Sequence, residues 1–371
     1  MRSGVLRVAT LSFSCALFIS ASVVAQTKKE SEEVIRVDTE LVEVPLSVVD
    51  RNGKPLTNLT KKNFSVFEDG KPQDVEEFAA VSAPFEVALL LDTSGSTRAD
   101  IEIIRRAARD FIASLRPGDR VSITAFRTTV KDNRSVSVPD TVIALTSDRE
   151  KLRLALDRVS TGNGTPYYDS LVDIAGKVFA SEPSDEFRGR RALVALTDGV
   201  DSTSLESFSE ARNVLTAKGI SAYFISVNTR DFFEDQLLGD CHSAMRFSQG
   251  QIKRYYASFG RGSKVERVSD FCNLGEFEKL AISKQLYELA GTEMNELARL
   301  SGGRVFPADD LNDARLAFKQ VADEIGTRYS LGYYPTNETK DGKFRSIRVE
   351  VKGVPAGSKV RAREGYTAPT N

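Results

Sequence analysis

Hydrophobic and polar positions alternate along residues 34–82, which is the pattern of strands with one buried face. The pattern changes at residues 87–91, where five consecutive apolar residues predict a parallel strand buried on both faces. From there to about residue 227, predicted strands and amphipathic helices take turns, and residues 192–196 form a second buried strand. This alternation predicts a doubly wound α/β fold with a mainly parallel sheet.

The pattern changes twice more toward the C-terminus. Residues 229–280 are polar, aromatic and glycine-containing, and we interpret them as an insertion in the α/β domain. Helices are expected at about 281–300 and 310–326, after which strand-like alternation returns from Tyr329. We expect the first and last β segments to pair into one β-sandwich beside the α/β domain. The alternative is two separate β appendages.

Composition excludes several classes of function. The 371 residues carry 51 basic and 52 acidic side chains, and this net charge of −1 argues against a dedicated nucleic-acid-binding protein. His242 is the single histidine, which excludes a three-histidine zinc site and leaves a Ser-His-Asp hydrolase only that residue. Three cysteines are too few for a disulfide scaffold.

The N-terminus has the features of a secretory signal peptide. Arg2 and Arg7 precede an apolar stretch over residues 8–24, and small residues precede Gln26. We therefore predict a signal peptide over 1–25 and an exported protein, either periplasmic or secreted; an uncleaved membrane anchor is the alternative. No later stretch approaches the about 20 apolar residues that span a bilayer, so no transmembrane segment is expected after cleavage. The predicted divisions that follow are an N-terminal β segment over 26–84, the α/β domain over 85–327 and a C-terminal β segment over 328–371.

Oxygen-bearing side chains gather at one predicted edge of the sheet. The first buried strand leads into Asp92, Ser94 and Ser96, which form a D-x-S-x-S motif. Thr165 stands at a predicted helix start, and Asp198 follows the second buried strand. Ligand sites of open α/β sheets lie at these strand ends. Carboxylate and hydroxyl oxygens are ligands that suit Mg²⁺.

This constellation resembles the metal-ion-dependent adhesion site of the von Willebrand factor type A (vWA) domain, a Rossmann-like fold. The matching positions are Asp92, Ser94, Ser96, Thr165 and Asp198. Residues 165–171 resemble the T-x-x-x-D-A-L stretch of the family, with Ser170 in place of alanine, and residues 197–199 resemble its T-D-G turn. The resemblance covers about residues 85–327, and the insertion departs from it.

The flanking β segments are similar to those of exported bacterial vWA proteins. Before the domain lies a D-F-x-V-x-E-D-G type of run, with Asn63 in place of the first aspartate. An R-x-G-Y run formed by Arg363, Gly365 and Tyr366 follows it. These runs extend the resemblance to both ends of the chain.

The resemblance implies a Mg²⁺ site, with Mn²⁺ and Ca²⁺ as alternatives. Ser94, Ser96 and Thr165 would be direct ligands. Asp92 and Asp198 would act directly or through water, and an Asp or Glu of a protein partner would complete the coordination. The expected function is that of an exported, non-enzymatic protein-binding module.

Two other functions stay open. A metal-dependent hydrolase could use Asp92 as nucleophile, although the sequence offers no evident general base and no phosphate-binding Gly-rich loop. A structural envelope protein could use the metal only to stabilise its fold.

Three weaker signals concern cysteines and charged clusters. Export favours a disulfide between Cys241 and Cys272, and a zinc site including His242 is the alternative. A basic-aromatic cluster in the insertion would either contact a partner or pack on itself; it comprises Lys253, Arg254, Tyr255, Tyr256, Phe259 and Arg261. The run of Arg188, Arg190 and Arg191 is expected on a solvated surface.

Overall fold

The computed structural model describes residues 41–95, 100–239, 246–257 and 271–370. The predicted signal peptide, Ser96, Cys241, His242, Phe259 and Arg261 lie outside these residues. The described strands are β1 (Val42–Val49), β2 (Phe64–Glu68), β3 (Lys71–Gln73), β4 (Glu77–Ala79), β5 (Glu86–Leu91), β6 (Arg120–Lys131), β7 (Arg134–Thr146), β8 (Arg191–Thr197), β9 (Ser221–Val227), β10 (Arg304–Ala308), β11 (Tyr329–Tyr333), β12 (Phe344–Val351), β13 (Lys359–Ala362) and β14 (Gly365–Thr367). The described α-helices are α1 (Ile101–Ser114), α2 (Arg149–Arg158), α3 (Tyr167–Asp173), α4 (Phe208–Ala217), α5 (Arg230–Leu237), α6 (Gln249–Ala257), α7 (Glu276–Ser301) and α8 (Ala314–Ile325). None of the helices within these residues has the length and apolar character needed to cross a membrane.

A six-stranded sheet forms the centre of the α/β domain, with the order β10-β9-β8-β5-β6-β7. The first five strands in this order run parallel, and β7 pairs antiparallel with β6. The chain moves from β5 to β6 on one side and later returns to β8 on the other. The strand order therefore reverses between β5 and β8, where ligands of doubly wound sheets bind. The predicted α/β fold with a mainly parallel sheet is confirmed.

Helices cover both faces of this sheet. One apolar core joins the sheet to α1, α2 and α8, and the core on the other face joins it to α3, α4 and α7. All six residues of β5 and all seven of β8 are buried, which explains their continuous apolar sequences. These two central strands consequently give a rigid base to the residues that follow them.

The N- and C-terminal β segments pair with each other. Two four-stranded sheets have the orders β13-β1-β11-β4 and β14-β12-β2-β3, so each combines strands from both ends of the described chain. Side chains from both sheets share one core, to which Val44, Phe64, Tyr329 and Ile347 belong. The expected joined β-sandwich is confirmed, and the alternative of separate appendages is wrong.

The buried glutamate of the D-F-x-V-x-E-D-G run serves this sandwich. Glu68 accepts hydrogen bonds from the hydroxyls of Tyr333 at 2.7 Å and Tyr366 at 3.0 Å. Arg363 reaches the neighbouring domain and donates to the carbonyl oxygen of Thr216 in α4 at 2.8 Å. The family-like flanking runs therefore hold the sandwich together and attach it to the α/β domain.

The expected solvated position of Arg190 and Arg191 is wrong. Arg190 is fully buried, lies over the ring of Phe85 at 4.1 Å, and donates to the carbonyl oxygens of Ala83, Pro84 and Arg328. Arg191 is also buried and forms an ion pair with Glu86 at 2.9 Å. Carbonyl and carboxylate acceptors satisfy these guanidinium groups, so the arginines can join segments distant in sequence.

Two parts of the α/β domain differ from the sequence-based expectation. The apolar pattern of residues 121–126 predicts a single short strand, but β6 continues to Lys131 and returns as β7, through Asp132 and Asn133 with φ of 50° and 57°. The predicted insertion contains α5, α6 and the start of α7. These helices enclose a small apolar core of their own, which includes Leu237, Phe247 and Ile282.

Candidate metal centre

Asp92 is the first residue beyond the central strand β5. Its backbone N–H continues the parallel ladder by donating to the carbonyl oxygen of Leu196 at 2.9 Å. One carboxylate oxygen accepts from the backbone N–H of Ser94 at 3.1 Å, and the other accepts from the hydroxyl of Thr197 at 2.8 Å. Asp92 is only 4% exposed. The end of β5 thus fixes a carboxylate in a buried position.

Asp198 occupies the equivalent position after the neighbouring strand β8. Its Oδ1 accepts from the backbone N–H of Val200 at 2.8 Å, and its Oδ2 accepts from the hydroxyl of Thr229. The Thr229 hydroxyl lies 2.9 Å from the hydroxyl of Tyr287 in α7. A backbone N–H and a threonine hydroxyl are among the groups that hold each of the two aspartates.

Asp92, Ser94 and Asp198 line one small pocket at the carboxyl edge of the sheet. Thr197 and Thr229 add hydroxyl groups to its wall, and three apolar side chains complete the lining, Leu196, Val227 and Leu311. Three of the five predicted ligands are thus brought together. Ser96 lies outside the described residues, and its part in the site stays a prediction.

Burial and mutual repulsion perturb both carboxyl groups. Burial, followed by the negative charge of Asp198, raises the pKa of Asp92 to about 7. Burial also raises the pKa of Asp198, against the effect of its hydrogen bonds from Thr229 and Val200. The same environment, with the charge of Asp198, raises the pKa of Tyr287. A cation in this pocket would relieve the cost of holding the buried carboxylate of Asp92 close to the half-buried carboxylate of Asp198.

Thr165 is buried near this edge but does not line the pocket. Its backbone N–H donates to the hydroxyl of Ser202 at 2.8 Å, and its carbonyl oxygen accepts from the Ser202 N–H at 3.0 Å. The same loop is tied to the end of β5, because the Gly162 N–H donates to the Thr93 carbonyl oxygen at 2.8 Å. The Thr165 loop is therefore anchored to both strand ends that carry the aspartates.

The aspartate of the T-x-x-x-D run has a structural role. One Asp169 oxygen accepts from the backbone N–H groups of Leu205 at 2.9 Å and Glu206 at 2.8 Å. In the reverse direction, Asp201 accepts from the backbone N–H of Tyr167 at the start of α3, at 3.0 Å. These reciprocal bonds fix the loop after Asp198 against the helix that follows Thr165.

Arg254, Tyr255 and Tyr256 of the basic-aromatic cluster pack on the protein itself, whereas Lys253 is exposed. Arg254 forms an ion pair with Asp201 at 2.5 Å and lies 5.3 Å from the ring centre of Tyr168. The hydroxyl of Tyr256 donates to Glu278 in α7. Arg254 thereby reaches the loops of the candidate site from α6.

Cys272 is disulfide-bonded. Its predicted partner Cys241 lies outside the described residues, so this pairing stays a prediction.

Thr229 and Tyr287 were missed by the sequence analysis. Thr229 is the second residue after the parallel strand β9 at the same edge, so its place near a strand end was a usable signal. Tyr287 lies within a long helix and carries no such signal. Only the packing of α7 against the sheet brings its hydroxyl to Thr229.

The donor set of the pocket fits a hard divalent cation. It combines two carboxylates with hydroxyl groups, and Mg²⁺ prefers such oxygen ligands while keeping several waters. Within the described ranges, no group of three or more His, Cys, Asp or Glu side chains is placed to hold a metal ion. The chemistry of the pocket is accordingly that of a mixed carboxylate and hydroxyl site.

Residues 87–200 match the von Willebrand factor type A domain family. The chain contains a vWA domain. The matched segment runs from β5 to the turn after β8 and includes all five predicted ligands, Asp92, Ser94, Ser96, Thr165 and Asp198. No match was found among curated proteins.

Solved structures similar to this vWA protein include the conserved hypothetical protein BatB from Bacteroides thetaiotaomicron. It is 17% identical, with 65% of this chain and 98% of that chain covered and a TM-score of 0.39. A von Willebrand factor type A structure from Catenulispora acidiphila is 11% identical, with coverages of 91% and 75% and a TM-score of 0.41.

Proposed function

We propose that this protein binds a protein partner through a divalent cation, Mg²⁺ in the first instance, held by the vWA domain. The observation that carries the proposal is the pairing of Asp92 and Asp198 in one pocket. The carboxylates of buried Asp92 and half-buried Asp198 repel each other there, and burial with this repulsion raises the pKa of Asp92 to about 7. Asp92, Ser94, Ser96, Thr165 and Asp198 would hold the ion directly or through water.

The cation supplies a positive charge that a carboxylate of the partner can bind. The two ionised aspartates together equal the double charge of Mg²⁺, so a partner carboxylate is drawn by the coordination positions that Mg²⁺ leaves to exchangeable water. An Asp or Glu side chain of the partner therefore completes the coordination. The apolar side chains of Val227 and Leu311 keep water away from one side of the pocket.

The role is binding rather than catalysis. In the described lining of the pocket, the titratable side chains are Asp92 and Asp198 themselves. Both are engaged by hydrogen bonds that fix their orientation, which suits ligands better than proton carriers. The disulfide at Cys272 and the predicted signal peptide support export to the periplasm or the exterior.

Calorimetric titration of Mg²⁺ into the EDTA-treated protein tests the metal site. Saturable binding is expected in the wild type and is expected to disappear in the double variant Asp92→Ala with Ser94→Ala. Asp185→Ala with Ser184→Ala is the matched control, because these two residues are exposed. Equal binding by the two double variants would refute the assignment.

A retention experiment tests the partner. Immobilised protein should retain a partner in Mg²⁺ and release it in EDTA, and the Asp92→Ala, Ser94→Ala variant should not retain it. Retention that survives EDTA would exclude a metal-bridged contact. Metal binding that changes only the unfolding midpoint, with no metal-dependent partner, would favour the structural role instead.

A further inference from the structure

Helix α7 contacts the turn that carries Asp198 at two points. Gly199 has a φ of 74°, and a side-chain carbon there would lie 3.1 Å from the sulfur of Met294. At the second point, the hydroxyl of Tyr287 lies beside the hydroxyl of Thr229, which donates to Asp198. Tyr287 and Met294 are seven residues apart, so they lie two turns apart on one face of the helix. That face of α7 therefore packs against the edge of the sheet that carries Asp198.

The second contact has a defined direction. A threonine hydroxyl has one proton, and Thr229 gives it to Oδ2 of Asp198. With Thr229 donating to Asp198, Tyr287 is the donor in its 2.9 Å contact with Thr229, and its hydroxyl also interacts with Asp198 directly. The resulting chain runs from the Tyr287 O–H to the Thr229 O–H and then to the Asp198 carboxylate. Such chained donors strengthen one another in a buried environment.

The two aspartates of the pocket differ in what holds them. Asp92 is held by Ser94 and Thr197, which lie on the two central strand ends themselves. Asp198 depends on Thr229, 31 residues further along the chain, and on Tyr287 of α7. Asp198 is consequently the ligand whose orientation a distant element can change.

We propose that Thr229 and Tyr287 are positioning residues for Asp198, through which α7 and the helical segment before it set the metal affinity of the pocket. The inference rests on the proposed metal site. Thr229 itself lines the pocket, and α5, which begins at the next residue, joins α7 in the small core of the insertion. A displacement of α7 would withdraw Tyr287 and leave Thr229 free to turn away from Asp198.

Thr229→Val removes the donor and keeps the shape of the side chain, whereas Thr229→Ser keeps the donor. Loss of a group that orients a metal ligand typically weakens metal binding about 10- to 100-fold. We expect Thr229→Val to weaken Mg²⁺ binding by at least about tenfold, Tyr287→Phe to weaken it by a smaller factor, and Thr229→Ser to stay within about twofold of the wild type. Thr216→Val is the matched control, because its hydroxyl bonds only within α4.

Hydrogen exchange distinguishes a positioning role of Thr229 from a purely structural one, because only a positioning role makes exchange in α7 depend on Mg²⁺. Coupling between two sites is reciprocal, so Mg²⁺ should slow amide exchange in α7 of the wild type and have a much weaker effect in Thr229→Val. Mg²⁺ binding by the wild type with unchanged affinity in Thr229→Val would overturn this inference and leave the proposed function intact. A wild type that binds no Mg²⁺ would instead overturn the proposed function, and this inference with it.

Discussion

Acidification should stabilise the metal-free protein, against the usual behaviour of proteins with surface ion pairs. The pKa of Asp92 rises from its ordinary 3.8 to about 7 because the group is buried beside Asp198. The folded state therefore holds a proton that the unfolded state has already lost between pH 4 and pH 7. Stability falls with rising pH wherever the folded state binds more protons.

The raised pKa of Asp92 sets the size of this effect. A difference of one pKa unit is worth about 1.4 kcal/mol, so Asp92 costs the metal-free fold about 4 kcal/mol once it is fully ionised. About 3 kcal/mol of this loss should occur between pH 5 and pH 8. Burial also raises the pKa values of Asp201 and Glu293, which act in the same direction. Exposed carboxyl groups with lowered pKa values, such as Asp148 and Asp310, stabilise the fold when they are ionised. This contribution is lost only below the pH range from 5 to 8.

Urea unfolding in EDTA at pH values from 5 to 8 measures the effect, with Asp92→Asn as the comparison. The variant cannot ionise at this position. From pH 5 to pH 8, the free energy of unfolding of the wild type should therefore fall by about 3 kcal/mol more than that of the variant. At pH 8, Mg²⁺ at a hundred times its dissociation constant should raise the free energy of unfolding of the wild type by about 2.7 kcal/mol and that of the variant by little. A wild type whose metal-free stability follows the same pH dependence as the variant would refute the reasoning.

Four further results are expected. Because Asp92 must lose a proton with a pKa of about 7, calorimetry should find Mg²⁺ bound about tenfold more weakly at pH 6 than at pH 8, and equal affinities would contradict this. Arg190→Leu leaves several buried carbonyl oxygens without a donor and should cost at least about 3 kcal/mol in urea unfolding, against less than about 0.5 kcal/mol for Arg188→Leu. Gly199→Ala must adopt a φ of 74° against Met294, and its thermal midpoint should fall clearly below that of Gly291→Ala, whose surroundings are open. Peptide mapping without reduction should find Cys272 joined to Cys241, and reduction should cost about 3 kcal/mol; recovery of Cys241 as a free thiol would show the pairing to be wrong.

The sequence contains the features that locate the site because they are local. β5 and β8 contain the unbroken apolar runs 87–91 and 192–196, and each strand is followed at once by an aspartate. The parallel arrangement then places Asp92 and Asp198 at one edge without any further information. The sandwich could be expected for a similar reason, since alternating strands with one apolar face need a partner to cover that face.

The parts that were missed depend on contacts between distant segments. Arg190 stands in a basic run that is typical of a solvated surface, yet its acceptors include the carbonyl oxygen of Arg328, 138 residues away. Thr229 is separated from Asp198 by 31 residues, and Tyr287 from Thr229 by 58. No periodicity records such pairings, because each depends on how whole elements pack.

Helix α6 of the insertion and helix α7, which begins in it, reach both loops of the proposed metal site. Arg254 in α6 holds Asp201, and Asp201 accepts from the first N–H of α3, the helix that follows Thr165. Tyr287 in α7 holds Asp198 through Thr229. A ligand that moved both helices would therefore disturb both loops, whereas Asp92 would keep its bonds to the two strand ends. Regulation of the metal site by the insertion should thus act through Thr165 and Asp198 and leave Asp92 in place.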